Sequence, residues 1–188
     1  MQIASHGDIR DREAVSASLT SLQRFVDGAD PRQAFTSIVL LFPETPSLDE
    51  IEFEKVLWHL LSAIAERDPA GWAPEVSADV KSPLFGFSVH SHPFFIVGMH
   101  PNSSRPSRRA PYAALAFNSH VQFEALKSEG TYGALQYKIR QRELERYGAI
   151  NPMLAEHGVK SEAPQYSGRF VGADWHCPFS AEPDGQAS

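Results

Sequence analysis

One histidine and three arginines stand close together in the stretch VGMHPNSSRPSRRAPY, residues 97–112. His100 ends an apolar run and precedes Pro101, and a residue before proline is driven toward extended backbone. The imidazole is therefore held stiffly at the end of a predicted strand, which suits a ligand to a metal or to haem iron. A histidine that only ends the strand and hydrogen-bonds to the backbone fits the same pattern.

The three arginines, Arg105, Arg108 and Arg109, follow within nine residues of that histidine. A guanidinium group presents a planar fork of donors that matches carboxylate or phosphate. The chain as a whole is acidic, with a formal net charge of -6. The cluster is therefore a local feature, aimed at a small anion or an internal carboxylate. The alternative is a solvated loop whose arginines pair with surface acids.

Further histidines stand at the ends of predicted strands. His90 and His92 flank a predicted hairpin turn, and His120 follows the last predicted strand. Together with His100 they could form a non-haem metal site, because imidazole is a common ligand of transition metals. No HxxxH, HExxH or facial-triad spacing supports such a site.

A late segment, SEAPQYSGRFVGADWHCPF at residues 161–179, crowds polar and aromatic residues around glycines. This composition is more typical of a loop that lines a pocket than of a linker. The polar and aromatic residues of this segment include Glu162, Gln165, Tyr166, Ser167, Arg169, Trp175, His176 and Cys177, and Asp174 is a further acid in it. Cys177 could supply a thiolate ligand to iron, although a lone Cys-Pro pair often has no such role.

Periodicity predicts the elements that position these residues. Helices are predicted over 11–26, 47–68, 119–130 and 132–148. Strands are predicted over 34–42, 83–90, 93–100 and 112–118. The second helix opens on Ser47 and Glu50, which fit a capping box, and the SHP tripeptide between two strands suits a tight hairpin. The predicted fold is α+β: a single domain with a largely antiparallel sheet flanked by helices and a long irregular C-terminal segment.

Composition limits the class of protein. The chain has 188 residues, of which 42% are hydrophobic and 21% charged, as expected for one globular domain. No apolar run approaches the ~20 residues of a membrane span, and the acidic balance argues against broad nucleic-acid binding. A single cysteine, Cys177, excludes an intrachain disulfide. We therefore expect a cytoplasmic protein.

Several blocks in series resemble the YqcI/YcgG family. They are PFFIVGMHPNSSRPSRRAP, LAFNSHVQFEALKSEGTY, IRQRE, GAINPMLAEHG and SEAPQYSGRF…DWHCPF. The resemblance implies one domain over residues 1–179, without the N-terminal region usual in the family, and we expect a disordered tail over 180–188. Two positions depart from the family pattern: Pro164 replaces an arginine, and Val121 stands where a glutamate is frequent.

Characterised relatives are haem-dependent N-hydroxylases, so the resemblance implies a b-type haem, dioxygen, an external electron donor and an arginine-like guanidine or amine substrate. His100 is the favoured iron ligand, with His120 as the alternative and Cys177 less favoured. The expected cofactor-binding residues are His100, Arg105, Arg108, Arg109 and Arg169. The expected catalytic residues are Tyr166, Gln165 and Glu162. A homodimer, a haem- or anion-binding protein without turnover, and a non-haem metalloprotein remain open.

Overall fold

The computed structural model describes residues 1–28, 37–121, 160–172 and 174–179, together with a few isolated positions between 130 and 145. In chain order the elements are β1 (Gln2–Ser5), α1 (Arg12–Asp27), β2 (Ser37–Phe42), α2 (Glu50–Arg67), β3 (Phe87–Val89), β4 (His92–Met99) and β5 (Ala113–Ser119). Two short 3₁₀ turns lie at Pro106–Arg108 and Ala163–Gln165.

The five strands form one sheet in the order β1-β2-β5-β4-β3. Every neighbouring pair is antiparallel except β1 and β2, which run parallel. The predicted α+β class with a largely antiparallel sheet is therefore confirmed. The prediction missed β1, whose four residues are too few to show an alternating pattern. The helices predicted over 119–130 and 132–148 fall almost wholly outside the described residues, as does the predicted tail over 180–188.

Both described helices pack on one face of the sheet. Side chains alternate along a strand, so Phe94, Ile96 and Gly98 share that face of β4. From α1, the ring of Phe25 lies 6.0 Å from that of Phe94. Helix α2 contributes the fully buried stripe that its spacing predicts, with Leu57 against Gly98. The core is thus a layer between two helices and the sheet.

Gly98 is required by the close approach of α2 and of the C-terminal segment to β4. A Cβ at this position would lie 2.6 Å from Leu57 Cδ1 and 2.8 Å from the carbonyl oxygen of Tyr166. The Gly98 amide donates to that same carbonyl at 2.8 Å. Only glycine lets three segments meet here, so the outer edge of β4 is covered where β3 no longer pairs with it.

Helix α2 begins two residues later than its predicted capping box. Asp49 is the N-cap, its carboxylate accepts from the amides of Ile51 and Glu52, and the Glu52 carboxylate accepts from the Asp49 amide. The predicted cap at Ser47 and Glu50 was therefore wrong. An aspartate three residues before a glutamate forms the same reciprocal pair, which is why the sequence allowed two registers.

The predicted hairpin is present, with His90 and Ser91 as its two-residue loop. Both have φ of 53°, the left-handed values that a type I′ turn needs at both positions. Asp68 holds His90 in this conformation, because its carboxylate accepts from the His90 amide at 2.6 Å. The first strand of the hairpin is shorter than predicted. Residues 83–84 lie in a turn, Phe85 makes an isolated bridge with Ser77, and only Phe87–Val89 pair with β4.

Candidate functional site

His100 lies directly after β4 and is buried, with 2% of its surface exposed. Its ring stacks on Phe53 of α2, with ring centroids 4.4 Å apart. Burial lowers the pKa of His100, while the charge of Glu50 and a hydrogen bond with the Leu48 backbone oppose that shift. The Nδ1 atom is buried and has no hydrogen-bond partner among the described residues. Burial thus disfavours the charged imidazolium, and one buried ring nitrogen is left unsatisfied by the described residues.

Two of the loop arginines point inward and hold the C-terminal segment against the sheet. Arg108 donates to the carbonyl oxygens of Gly98 and Gln165, each at 3.2 Å. Arg105 donates to the carbonyl oxygen of Gly168 at 3.2 Å. Both arginines are 8% exposed. We call this contact region, residues 98–109 with residues 162–169, the arginine clasp.

Gly168 shows how tightly the clasp closes. Its φ is +86°, and a Cβ there would lie 3.1 Å from Arg108 Cγ and 3.4 Å from the carbonyl oxygen of Gly98. Both the backbone conformation and the available space therefore require glycine.

Arg109, the third arginine of the cluster, behaves differently. It is exposed, and its Nε donates to the Ser103 carbonyl oxygen within the same loop at 2.7 Å. The terminal nitrogens of its guanidinium make no hydrogen bond among the described residues. Of the three arginines that the sequence singled out, Arg109 thus presents a donor fork to solvent.

The loop that carries these arginines is anchored to the N-terminus of α2. Glu50 Oε1 accepts from the amide and the hydroxyl of Ser104, at 2.9 and 2.8 Å. Asn102 Nδ2 donates to Ser47 Oγ at 2.8 Å and to the Leu48 carbonyl at 3.0 Å. Ser47 and Glu50, which the sequence assigned to a helix cap, instead position the arginine loop.

Two of the predicted pocket residues, Glu162 and Tyr166, meet the strand-end histidine His120 in one buried network. Glu162 Oε2 lies 3.1 Å from His120 Nε2 and 3.2 Å from the Tyr166 hydroxyl. The Tyr166 hydroxyl also accepts from the Phe87 amide at 3.1 Å, so the network reaches the first residue of β3. Burial, followed by the charge of Glu162, raises the pKa of Tyr166 well above its usual value. Tyr166 is therefore a neutral hydrogen-bond donor.

Aromatic rings enclose the Tyr166 side chain. Trp58 of α2 stacks on it with centroids 5.5 Å apart, and Phe85 and Phe95 lie at 5.9 and 5.7 Å. Trp58 in turn contacts Trp175 at 6.4 Å. The phenol is thus fixed in position by ring packing on several sides.

A buried carboxylate that the sequence analysis missed lies on α2. Glu54 is 6% exposed, and its Oε1 accepts from Ser167 Oγ at 2.9 Å. Its Oε2 accepts from Arg169 Nε at 2.8 Å and from Arg169 Nη2 at 2.6 Å. In the sequence, Glu54 is visible only as an acid between Phe53 and Leu57 of the apolar stripe. Acids beside such a stripe are common, so its position alone did not indicate a site.

The remaining candidates lie apart from one another. His90 pairs with Asp68 at 3.3 Å, and His92 Nε2 lies 2.7 Å from Ser119 Oγ. Asp174 is exposed. Burial raises the pKa of the Cys177 thiol to about 12, so the thiol stays protonated. Within the described residues, no three histidine, cysteine or acidic side chains come together as a metal ion would require.

The fold and site define an α+β protein whose C-terminal segment is bound to a sheet edge by buried arginines and carboxylates. The chain matches the profile of the YqcI/YcgG family over residues 1–180, and it belongs to that family. No curated protein and no solved structure matches it significantly. Among the described helices, none is both long enough and apolar enough to cross a membrane.

Proposed function

We propose that this chain is a haem-dependent oxygenase that N-hydroxylates a guanidine- or amine-bearing small molecule resembling arginine. Membership of the family supports the class, and the state of His100 is the observation that carries the proposal. The proposed partners are the substrate, dioxygen and an electron donor, with no nucleic acid or membrane. We also propose a cytoplasmic location, consistent with the single protonated thiol of Cys177.

His100 is the residue that would hold the iron of a bound haem. Ligation needs a neutral imidazole, and burial already lowers the pKa of His100. A ligating histidine usually has its second ring nitrogen fixed by a backbone or carboxylate partner, and the Leu48 backbone acts on the pKa of His100 in the direction that such a partner would. Its unpartnered Nδ1 is the buried polar atom that such a role would explain. Haem, when bound, supplies the activation of oxygen.

The arginines divide into two groups in this proposal. Arg109 has an exposed guanidinium fork and is the arginine of the loop best suited to a propionate. Arg105 and Arg108 contribute through their contacts with Gly168, Gly98 and Gln165, which keep the C-terminal segment beside β4.

The network around Glu162 can hold and transfer a proton. Its Oε2 lies within hydrogen-bond distance of both Tyr166 and His120. A proton on His120 Nε2 can therefore pass to the Glu162 carboxylate, and the Tyr166 hydroxyl can donate to the same oxygen. Groups within about 2.6–3.2 Å of each other satisfy the geometric condition for general acid–base chemistry.

The visible spectrum of the purified chain tests the proposal. We expect a Soret band and extractable protohaem after expression with a haem precursor, and N-hydroxylation of an arginine-like substrate with a suitable reductant. Colourless protein that also fails to take up hemin would refute it. Haem uptake without turnover would leave a haem-binding protein.

Three variants assign the ligand. His100→Ala should abolish or strongly shift the Soret band, whereas Cys177→Ser should leave it unchanged because the thiol is protonated. Loss of haem in His120→Ala but not in His100→Ala would move the assignment to His120. A ferrous–CO band typical of thiolate ligation would overturn both histidine assignments.

A further inference from the structure

In the pair formed by Glu54 and Arg169, a buried carboxylate accepts two donors from one guanidinium group. Glu54 projects from α2 into the arginine clasp, and the Ser167 hydroxyl donates to its Oε1. Both Arg169 Nε and Arg169 Nη2 donate to its Oε2, at 2.8 and 2.6 Å. A carboxylate that accepts two donors from one planar group recognises a guanidinium more specifically than a simple ammonium.

The two partners of this pair are not buried equally. The Glu54 side chain is 8% exposed and that of Arg169 is 23% exposed, so the guanidinium reaches the carboxylate from the solvent side. Apart from Glu54, the Arg169 guanidinium donates only to the carbonyl oxygen of the next residue, Phe170. Arg169 can therefore swing out toward solvent without breaking any other tertiary hydrogen bond in the described part of the chain.

Glu54 cannot be left without a cation. Removing one partner of a buried pair leaves an uncompensated charge, which is strongly destabilising. The departure of Arg169 is therefore favourable only when another cation takes its place, and the Oε2 geometry selects one with a planar pair of N–H donors.

We propose that Glu54 binds the guanidinium group of a small-molecule ligand, and that Arg169 occupies this site in the ligand-free chain and is displaced by the ligand. The identification of that ligand with the substrate rests on the function proposed above. Binding exchanges one guanidinium for another, so Arg169 acts as an internal competitor that lowers the apparent affinity.

Calorimetric titration of the haem-free chain with agmatine, which carries a guanidinium group, tests this exchange. The control is 1,5-diaminopentane, a dication of ammonium groups without the planar pair of N–H donors. We expect the parent chain to bind agmatine and not the diamine, with a Kd of about 1 mM or tighter. If competition from Arg169 lowers the affinity of the parent chain about tenfold, Arg169→Gln should bind agmatine about tenfold more tightly than the parent. The double variant Glu54→Gln/Arg169→Gln, which leaves no unpaired charge, should not bind it.

Limited trypsin digestion gives a second measurement that needs only the parent chain. Agmatine should accelerate cleavage after Arg169, because the displaced side chain becomes accessible, and the diamine should not. If Arg169→Gln does not fold, this digestion of the parent chain still tests whether the ligand displaces Arg169.

Absence of agmatine binding to the parent chain, with an unchanged cleavage rate after Arg169, would overturn the proposal and leave a structural ion pair. Equal binding by Arg169→Gln and the double variant would overturn it too, because the site would then lie elsewhere. Neither measurement involves haem or turnover. Failure of haem binding would therefore refute the proposed function without affecting this site, and the reverse also holds.

Discussion

Two buried regions of this molecule are held together by different forces. Between the helices and the sheet, apolar side chains fill the interior, and residues such as Leu57, Phe94 and Trp58 are 1% exposed or less. In the arginine clasp the buried groups are charged side chains and backbone carbonyls, joined by hydrogen bonds from Arg105 and Arg108. The first region is held together by close packing, and the second by hydrogen bonds.

This difference determines what each region can do. Apolar burial is non-directional and contributes in proportion to area, at roughly 25 cal/mol per Å². A buried polar group is tolerated only when its hydrogen-bond partners are in place. A buried donor or acceptor that loses its partner costs about 1–3 kcal/mol of stability. The helix–sheet core can therefore supply stability, whereas the clasp holds Glu162, Tyr166 and Glu54 in defined positions. A reaction site needs side chains in defined positions, which the clasp provides.

Trp58→Ala should produce the largest loss of stability. Trp58 is 1% exposed and packs on Tyr166, Trp175 and Phe179, and truncating a buried aromatic costs about 3–5 kcal/mol. Urea unfolding followed by circular dichroism measures the change. Ile51→Ala on the same helix is the control, because Ile51 is 56% exposed and surface changes stay within about 0.5 kcal/mol. Equal losses in the two variants would contradict the assigned core.

Arg108→Met should have a smaller and more local effect. The methionine keeps most of the apolar length but leaves the carbonyl oxygens of Gly98 and Gln165 without their donor. Each unmade buried bond costs about 1–3 kcal/mol, and amide hydrogen exchange should rise in residues 160–170 before it rises in α2. Arg109→Met is the matched control, since Arg109 is exposed. If protection falls equally in α2 and in residues 160–170, the clasp is not a separate unit.

The sequence predicted the apolar region better than the clasp, for a physical reason. Helices α1 and α2 and strands β4 and β5 follow from spacing, because burial of one face imposes a period that is visible in the residues. The residues of the clasp show no such periodic pattern in the sequence. Most of its contacts join residues far apart in sequence: Arg108 and Gln165 are 57 positions apart, and Arg105 and Gly168 are 63. The acceptor in each of these contacts is a backbone carbonyl, which every residue carries.

The individual site residues show the same division. His100 could be singled out because proline and a strand end constrain it locally, and the structure indeed places it, buried, directly after β4. Glu54 could not be singled out, because nothing near it in sequence indicates that Ser167 and Arg169 will reach it. The cluster of arginines in the loop marked this region as one to inspect. Which of these arginines point inward depends on the tertiary fold.

Protonation of His6 should give the smallest effect, and it contrasts with the charged groups of the clasp. His6 is half-buried, with its ring 5.8 Å from that of Phe42, and burial lowers its pKa below the usual 6.5. The unfolded chain therefore binds this proton more readily than the folded chain, so the contribution of His6 to stability is present above about pH 6.5 and is lost as the pH falls through its lower folded value. Urea unfolding at several pH values between about 5 and 7.5 should show parent stability falling toward acid pH, with a shallower fall in His6→Gln. Identical slopes would mean that His6 titrates alike in the folded and unfolded chains, and that burial in this part of the core does not exclude its charged form. A shallower slope would show that burial at the edge of the apolar region opposes the charged form of His6, whereas Glu54 in the clasp is paired with the guanidinium of Arg169.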